Sequence, residues 1–157
     1  MARFVFDTGI IVGYVRDAPY SQYLDKKYQV LEPPNVSLIS AVSKGEIFSL
    51  AIQFGWGEQK KRKLQEILSK LPTVDIRRGA IIERYAEIDA YSQGKHPAKP
   101  LPPGMSSRNM GKNDVWIGAT ASVLNAKLIT IDRDFDHLDG AFMEVVYIDQ
   151  ALTAANA

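Results

Sequence analysis

The sequence predicts an α/β fold: a mostly parallel sheet of about four or five strands, with helices on both faces. Three observations carry that expectation. Short β-rich runs alternate with segments of helical spacing, proline and glycine break the chain between them, and 157 residues is the length of one ordinary domain. Residues 1–150 are read as that single domain and 151–157 as a weakly patterned C-terminal tail.

Arg3–Phe6 is a β-rich run that stops at Asp7-Thr8-Gly9 and reads as a buried first strand, and Ile10–Val15 continues as an apolar helix. Pro33-Pro34 breaks the chain before a second strand at Val36–Ile39. Ser40–Phe54 is helical, with Ile47, Leu50, Ala51 and Phe54 on one stripe, and Gly55 and Gly57 end it. Gln59–Leu71 reads as a further helix closed by Pro72, followed by a short strand at Val74–Ile76. Ala80–Tyr91 carries Ile81, Ile82, Tyr85, Ile88 and Tyr91 at helical spacing. Ser92–Lys112, with four prolines and three glycines, is irregular and long for a loop in a compact domain, and such loops are usually functional. Asp114–Leu124 is a helix of small residues, Leu128–Ile131 a strand ending on Asp132, and Val145–Ile148 the last strand.

Composition narrows the chemistry. Hydrophobic residues at 46% and charged residues at 24% are ordinary for a soluble globular protein. No apolar run is long enough to cross a bilayer, and the first residues are no signal peptide, so a cytoplasmic protein is expected. Without cysteine, thiolate metal sites and disulfides are excluded, and two histidines make a histidine-rich zinc site a poor expectation. A bound metal would therefore have oxygen ligands, which favours magnesium or manganese. The net charge of +1 does not mark a polyanionic partner, so nucleic acid would have to be held by local patches.

Four acids stand in costly places. Asp7 and Asp132 each follow a strand, and in parallel sheets ligands collect at the carboxyl ends of strands. Glu46 lies four residues after Val42 and four before Leu50, within or beside an apolar stripe. Asp114 shares a face with Ile117, Ala121 and Leu124. Two carboxylates ~4 Å apart repel by about 1 kcal/mol in water and about 4 kcal/mol at an effective dielectric near 20. A divalent cation relieves that repulsion, and can activate water against a phosphodiester.

Each acid taken singly also has a structural explanation. Asp7 or Thr8 can cap the next helix, as can Asn113 or Asp114, while Glu46 can meet a basic partner and Asp132-Arg133-Asp134 can be a polar turn. Only the conjunction points to a site. His137 reads as a surface or helix-end residue, His96 as a loop residue without a companion, and Trp56 as an aromatic that stacks a base or docks another chain, the second preferred. Lys60-Lys61-Arg62-Lys63 reads as a solvated helix face. Lys95, His96, Lys99, Arg108 and Lys112, which flank Asp114, are better placed to hold a substrate backbone.

Taken in order, Phe4-Val5-Phe6-Asp7-Thr8, Ser43-Lys44-Gly45-Glu46, Asn113-Asp114-Val115-Trp116-Ile117-Gly118-Ala119-Thr120-Ala121 and Leu128-Ile129-Thr130-Ile131-Asp132-Arg133-Asp134-Phe135 resemble the motifs of a PIN domain. Within that group the chain resembles the toxin nucleases of VapBC toxin–antitoxin pairs, over nearly its whole length. The resemblance implies a PIN-like, Rossmann-like three-layer sandwich that cuts RNA with magnesium or manganese. It further implies inhibition by a small antitoxin protein and assembly as a homodimer. Carried over by position, Asp7, Glu46 and Asp114 would be the metal-binding acids, Asp132 or Asp134 the fourth, with Asp132 preferred, and Thr8, Thr130 and Asn113 would support them.

Gly9 stands where many relatives carry Asn or Ser, Gly118 replaces an alanine, and Ser92–Lys112 is longer than the link expected there. The rival readings are a PIN nuclease of RNA processing, a phosphatase of the haloacid-dehalogenase type, and a non-catalytic interaction domain. The phosphatase would need a second Asp where Gly9 stands, and the interaction domain does not explain why all the acids are present.

Overall fold

The computed structural model describes residues 1–155. Five strands, β1 (Arg3–Phe6), β2 (Val36–Ser40), β3 (Thr73–Val74), β4 (Lys127–Thr130) and β5 (Val145–Tyr147), form one sheet in the order β3-β2-β1-β4-β5. Every pairing is parallel. Seven helices are described: α1 (Thr8–Val15), α2 (Pro19–Lys27), α3 (Ala41–Gln53), α4 (Glu58–Ser69), α5 (Gly79–Ser92), α6 (Lys112–Val123) and α7 (Gln150–Ala155). A 3₁₀ helix spans Arg133–Leu138. The expected α/β architecture is therefore present, with five strands and no antiparallel member.

Strand alternation explains the two faces of the sheet. In β1, Phe4 and Phe6 point into one apolar cluster with Ile10, Ile11, Leu24, Ile47 and Ile129. Val5 points the other way, into a cluster with Ile81, Ile88, Val115, Ile117 and Leu128. Helices α1, α2 and α4 cover the first face, and α5 packs with α6 over the second. These strands are buried on both sides, which is why they read as continuous apolar runs.

Four elements differ from the sequence expectation: α2, β3, the 3₁₀ helix and α7. Helix α2 escapes apolar periodicity because only Tyr20, Ser21 and Leu24 face inward, although Pro19 sits at its first turn, where proline is tolerated. Strand β3 has only two residues, pairing Thr73 with Ile39 and Val74 with Ser40, rather than running over 74–76. Of the tail read at 151–157, residues 151–155 belong to α7, and residues 156 and 157 lie outside the described residues.

Trp56 and His137 lie in the interior, although His137 does stand at a helix end, in the last turn of the 3₁₀ helix. Trp56 is only 4% exposed and belongs to the first core cluster, so it is an anchor between α3 and α4 and not a docking residue. The exposed aromatics are its neighbours Phe48 and Phe54. His137 is 2% exposed, its ring stacked near Tyr91 and its Nε2 2.7 Å from Ser92 Oγ, so it is interior, not surface.

The approach of α1 to α2 requires a glycine. Tyr20 is buried, and its hydroxyl donates to the Gly9 carbonyl at 2.9 Å. A Cβ on Gly13 would fall inside the van der Waals envelope of the Tyr20 ring. Gly13→Ala should therefore lower stability by about 1–3 kcal/mol, the usual cost of overpacking. Denaturant unfolding checks this, and an unchanged midpoint would contradict the packing described.

Candidate functional site

The strand order reverses direction at β1. From β1 the chain builds outward through β2 and β3, then returns to place β4 on the other side of β1. The carboxyl ends of β1 and β4 thus open onto the crevice where open parallel sheets bind ligands. Asp7 leaves β1 there, and its amide donates to the Ile129 carbonyl of β4 at 3.0 Å.

Asp7 is the most deeply set acid, only 7% exposed. It is the N-cap of α1, and its Oδ1 accepts from the Thr8 amide at 2.8 Å. Its Oδ2 accepts from Thr130 Oγ1 at 2.7 Å, across the β1–β4 pair. Thr130 Oγ1 also accepts from the Asp132 amide at 2.9 Å, so one hydroxyl sets both strand exits. Burial raises the Asp7 carboxyl above its ordinary range, opposed by the Thr130 and Thr8 hydrogen bonds and reinforced by the charges of Glu46 and Asp132.

Glu46 reaches the same edge from α3, which follows β2. Thr8 Oγ1 donates to its Oε1 at 2.8 Å, so the residue after the first acid holds the second. The basic partner that would give Glu46 a purely structural explanation is absent among the described residues. Glu46 instead lines a hollow of about 550 Å³ with Ser49, Gln53 and Asn113. No periodicity or motif marks Ser49 and Gln53, which share this hollow only because α3 runs along it.

Asp114 lies in the first turn of α6 but does not cap it. The cap is Gly111, and no side chain makes a capping hydrogen bond. The capping explanation for Asn113 and Asp114 therefore fails. Asp132 does cap, accepting from the Asp134 amide at 2.9 Å at the start of the 3₁₀ helix. One carboxylate oxygen from each of Asp114, Asp132 and Asp134 lies within 4.8 Å of the others. Burial first, then the charges of Asp7, Asp132, Glu46 and Asp134, push the Asp114 carboxyl up to about 7. Among the described residues none of these five acids forms an ion pair.

The basic residues of the Ser92–Lys112 segment are scattered by the fold. Arg108 lines a polar hollow that also contains Asp134. Lys112 is exposed on the first turn of α6, two residues before Asp114, and Lys95 is exposed in the loop. Lys99 is folded back, donating to the Ala141 carbonyl at 2.8 Å with its ammonium 4.1 Å from the Phe142 ring centre. At Gly9, where a second acid would mark a phosphatase, a Cβ would meet Ile131 at 3.0 Å.

A parallel sheet with a knot of carboxylates at its topological switch defines the class, and comparison with known proteins names it. The PIN domain model matches residues 4–141, and the chain belongs to the PIN-domain family. No curated protein matches it by sequence. Its fold is similar to a chain of VapBC2 from Rickettsia felis, solved bound to a promoter DNA fragment. That likeness has 21% identity and a TM-score of 0.72, and covers 94% of this chain and 99% of the other. It is also similar to a chain of VapBC-1 from nontypeable Haemophilus influenzae, at 21% identity and TM-score 0.65, covering 92% and 97%. A chain of a toxin–antitoxin complex from Klebsiella pneumoniae matches at 23% identity and TM-score 0.61, covering 93% and 96%. Among the described residues no helix is long and apolar enough to cross a membrane.

The electrostatics give a pH dependence with a definite sign. The Asp114 carboxyl moves from an ordinary value of 3.8 to about 7 in the fold. Between those values the folded state holds a proton on Asp114 that the unfolded chain has released, so this group's contribution to stability falls as pH rises through the window and levels off above it. Burial of His137, which lowers its pKa to about 4, works in the opposite sense below about 6.5. The Asp114 contribution is therefore read as a difference between EDTA-treated parent and Asp114→Asn: from pH 5 to pH 8 the variant's thermal midpoint should rise relative to the parent's. A difference that stays constant or falls with pH would contradict this reading of the acids.

Proposed function

We propose that this chain is a divalent-metal-dependent endoribonuclease that hydrolyses RNA phosphodiester bonds, acting as the toxin of a type II toxin–antitoxin pair in the cytoplasm. The observation that carries the chemistry is the gathering of Asp7, Glu46, Asp114, Asp132 and Asp134 at one sheet edge with no cation paired to any of them among the described residues. Such a group is held apart from its own repulsion either by protons or by a metal. Its donors are all oxygens, and neither histidine belongs to the group, which suits magnesium or manganese better than zinc.

Asp114, Asp132 and Asp134 would hold the ion, with Asp7 and Glu46 completing the negative field around them. When bound, the ion supplies charge against the scissile phosphate and makes a water acidic enough to attack it. Asp7 is fixed by hydrogen bonds to both of its oxygens, so it acts as a rigid charge rather than a mobile base. Glu46 has Oε1 engaged by Thr8, and Oε2 makes no hydrogen bond among the described residues. Oε2 is therefore the group available to orient the attacking water or take its proton. Asn113, on the hollow beside it, contributes an amide for the RNA strand.

The toxin role and the partners rest on kinship. Chains of toxin–antitoxin complexes share the fold at near full length. A small antitoxin and a second copy of this chain are the proposed partners, and the exposed Phe48, Ile52, Phe54 and Ile82 supply apolar surface for such contacts.

The purified protein should cleave RNA with magnesium or manganese and stop in EDTA, and Asp7→Asn or Asp114→Asn should abolish cleavage while keeping the thermal transition. Undiminished, EDTA-resistant cleavage by both variants would sink the mechanism. Induced expression should halt growth, and sequencing of RNA fragment ends should reveal the target. Co-expression of a small neighbouring gene's product should restore growth. Normal growth alongside intact cleavage in vitro would favour RNA processing over toxicity.

A further inference from the structure

We propose that the polar hollow formed by residues 106–111 of the long loop binds a backbone phosphate of the RNA strand next to the bond cut, with Arg108 as its cation. This rests on the nuclease reading and adds to it a positioning residue that lies outside the acidic motifs.

The hollow has a volume of about 330 Å³ and is lined by Ser106, Ser107, Arg108, Asn109 and Asp134 among others. Two hydroxyls, an amide and a guanidinium are the groups that hold phosphate oxygens in nucleic-acid complexes. The Arg108 guanidinium takes part in none of the ion pairs among the described residues, although Asp134 lines the same hollow. Its charge is therefore not spent on the acids. Among the basic residues expected to touch a substrate backbone, Arg108 shares a hollow with a site acid, whereas Lys99 is tied to Ala141 and Phe142.

A guanidinium on a loose loop would be a weak anchor, because ordering the loop costs conformational entropy on binding. This stretch is pinned instead. The Arg108 amide donates to the Ser92 carbonyl at 2.7 Å, bringing the far end of the loop back to the end of α5. Ser92 Oγ is 3.2 Å from the buried Met110 Sδ and 2.7 Å from His137 Nε2. His137 belongs to the 3₁₀ helix that carries Asp134. Burial, and then the Arg108 charge, hold the His137 ring neutral, so the pin adds no cation of its own. The loop and the last acids thus form one preorganised unit.

The layout also gives the strand a path. The hollow with Asn113 meets the acids at Glu46, and the Arg108 hollow meets them at Asp134. RNA crossing the acids from one to the other would set a phosphate over Arg108. The Asp134 carboxylate opposes that phosphate until an ion engages it, so metal and RNA should bind with positive coupling.

The test uses the full chain with Asp7→Asn, which keeps RNA intact, and a fluorescently labelled single-stranded RNA of mixed sequence. Anisotropy is read with manganese across a salt series. Arg108→Gln should weaken binding about tenfold and make the slope of log affinity against log salt shallower by about 0.7, the single-strand value for one phosphate contact. Arg108→Lys should keep the slope. Equal affinity and slope in Arg108→Gln would overturn the subsite while leaving the nuclease reading intact. A change in manganese affinity with RNA binding unchanged would also overturn it, by assigning Arg108 to the acids. Failure of the Arg108-bearing protein to bind RNA at all would overturn the subsite and count against the nuclease reading together.

Discussion

The parallel pairing of β1 with β4 is the constraint from which the rest of the site follows. It puts the exits of two distant segments side by side, and Thr130 Oγ1 fastens them by donating to Asp7 while accepting from the Asp132 amide. Thr8 extends the same arrangement to α3 through Glu46. Thr8, directly after Asp7, and Thr130, two residues before Asp132, thus convert a backbone register into a carboxylate cluster. Loss of the β1–β4 register by one residue would turn Phe4 and Phe6 out of their cluster as well, so core packing and site geometry enforce each other.

Electrostatically the site works against the fold. Burial and mutual repulsion raise the carboxyls of Asp7 and Asp114, and no lysine or arginine compensates them among the described residues. Elsewhere on this chain acids do meet cations, as Asp75 with Arg77 and Glu87 with Arg84 do at 2.8 Å. The uncompensated group is a local exception maintained by the packed layers around it. Functional sites are where such costly arrangements are retained.

The long loop and the 3₁₀ helix form a second layer of organisation around the acids. Ser92, Met110 and His137 come from three separated stretches and close in the interior, which fixes the loop's far end against the helix bearing Asp134. An insertion in a loop is normally inexpensive and mobile. Here it is stitched down at the side facing the acids, and at Lys99 on the side facing Phe142.

Much was legible in the sequence because local signals agreed with the fold. Short β-rich runs between chain breaks marked β1, β2 and β4, helical spacing marked α3 and α5, and carboxylates directly after strands or on apolar stripes marked Asp7, Glu46, Asp114 and Asp132. Tertiary structure alone decided what depends on contacts between distant segments. It took Trp56 and His137 into the interior and gave α2 its place through Tyr20 and Leu24. It put Asp134 beside Asp114 and Asp132, and it separated Arg108 from Lys99 although both lie in one loop. The reason is physical: periodicity records which face of an element is buried, whereas a site is built from side chains on different elements, and their meeting is fixed only by the order and register of the strands.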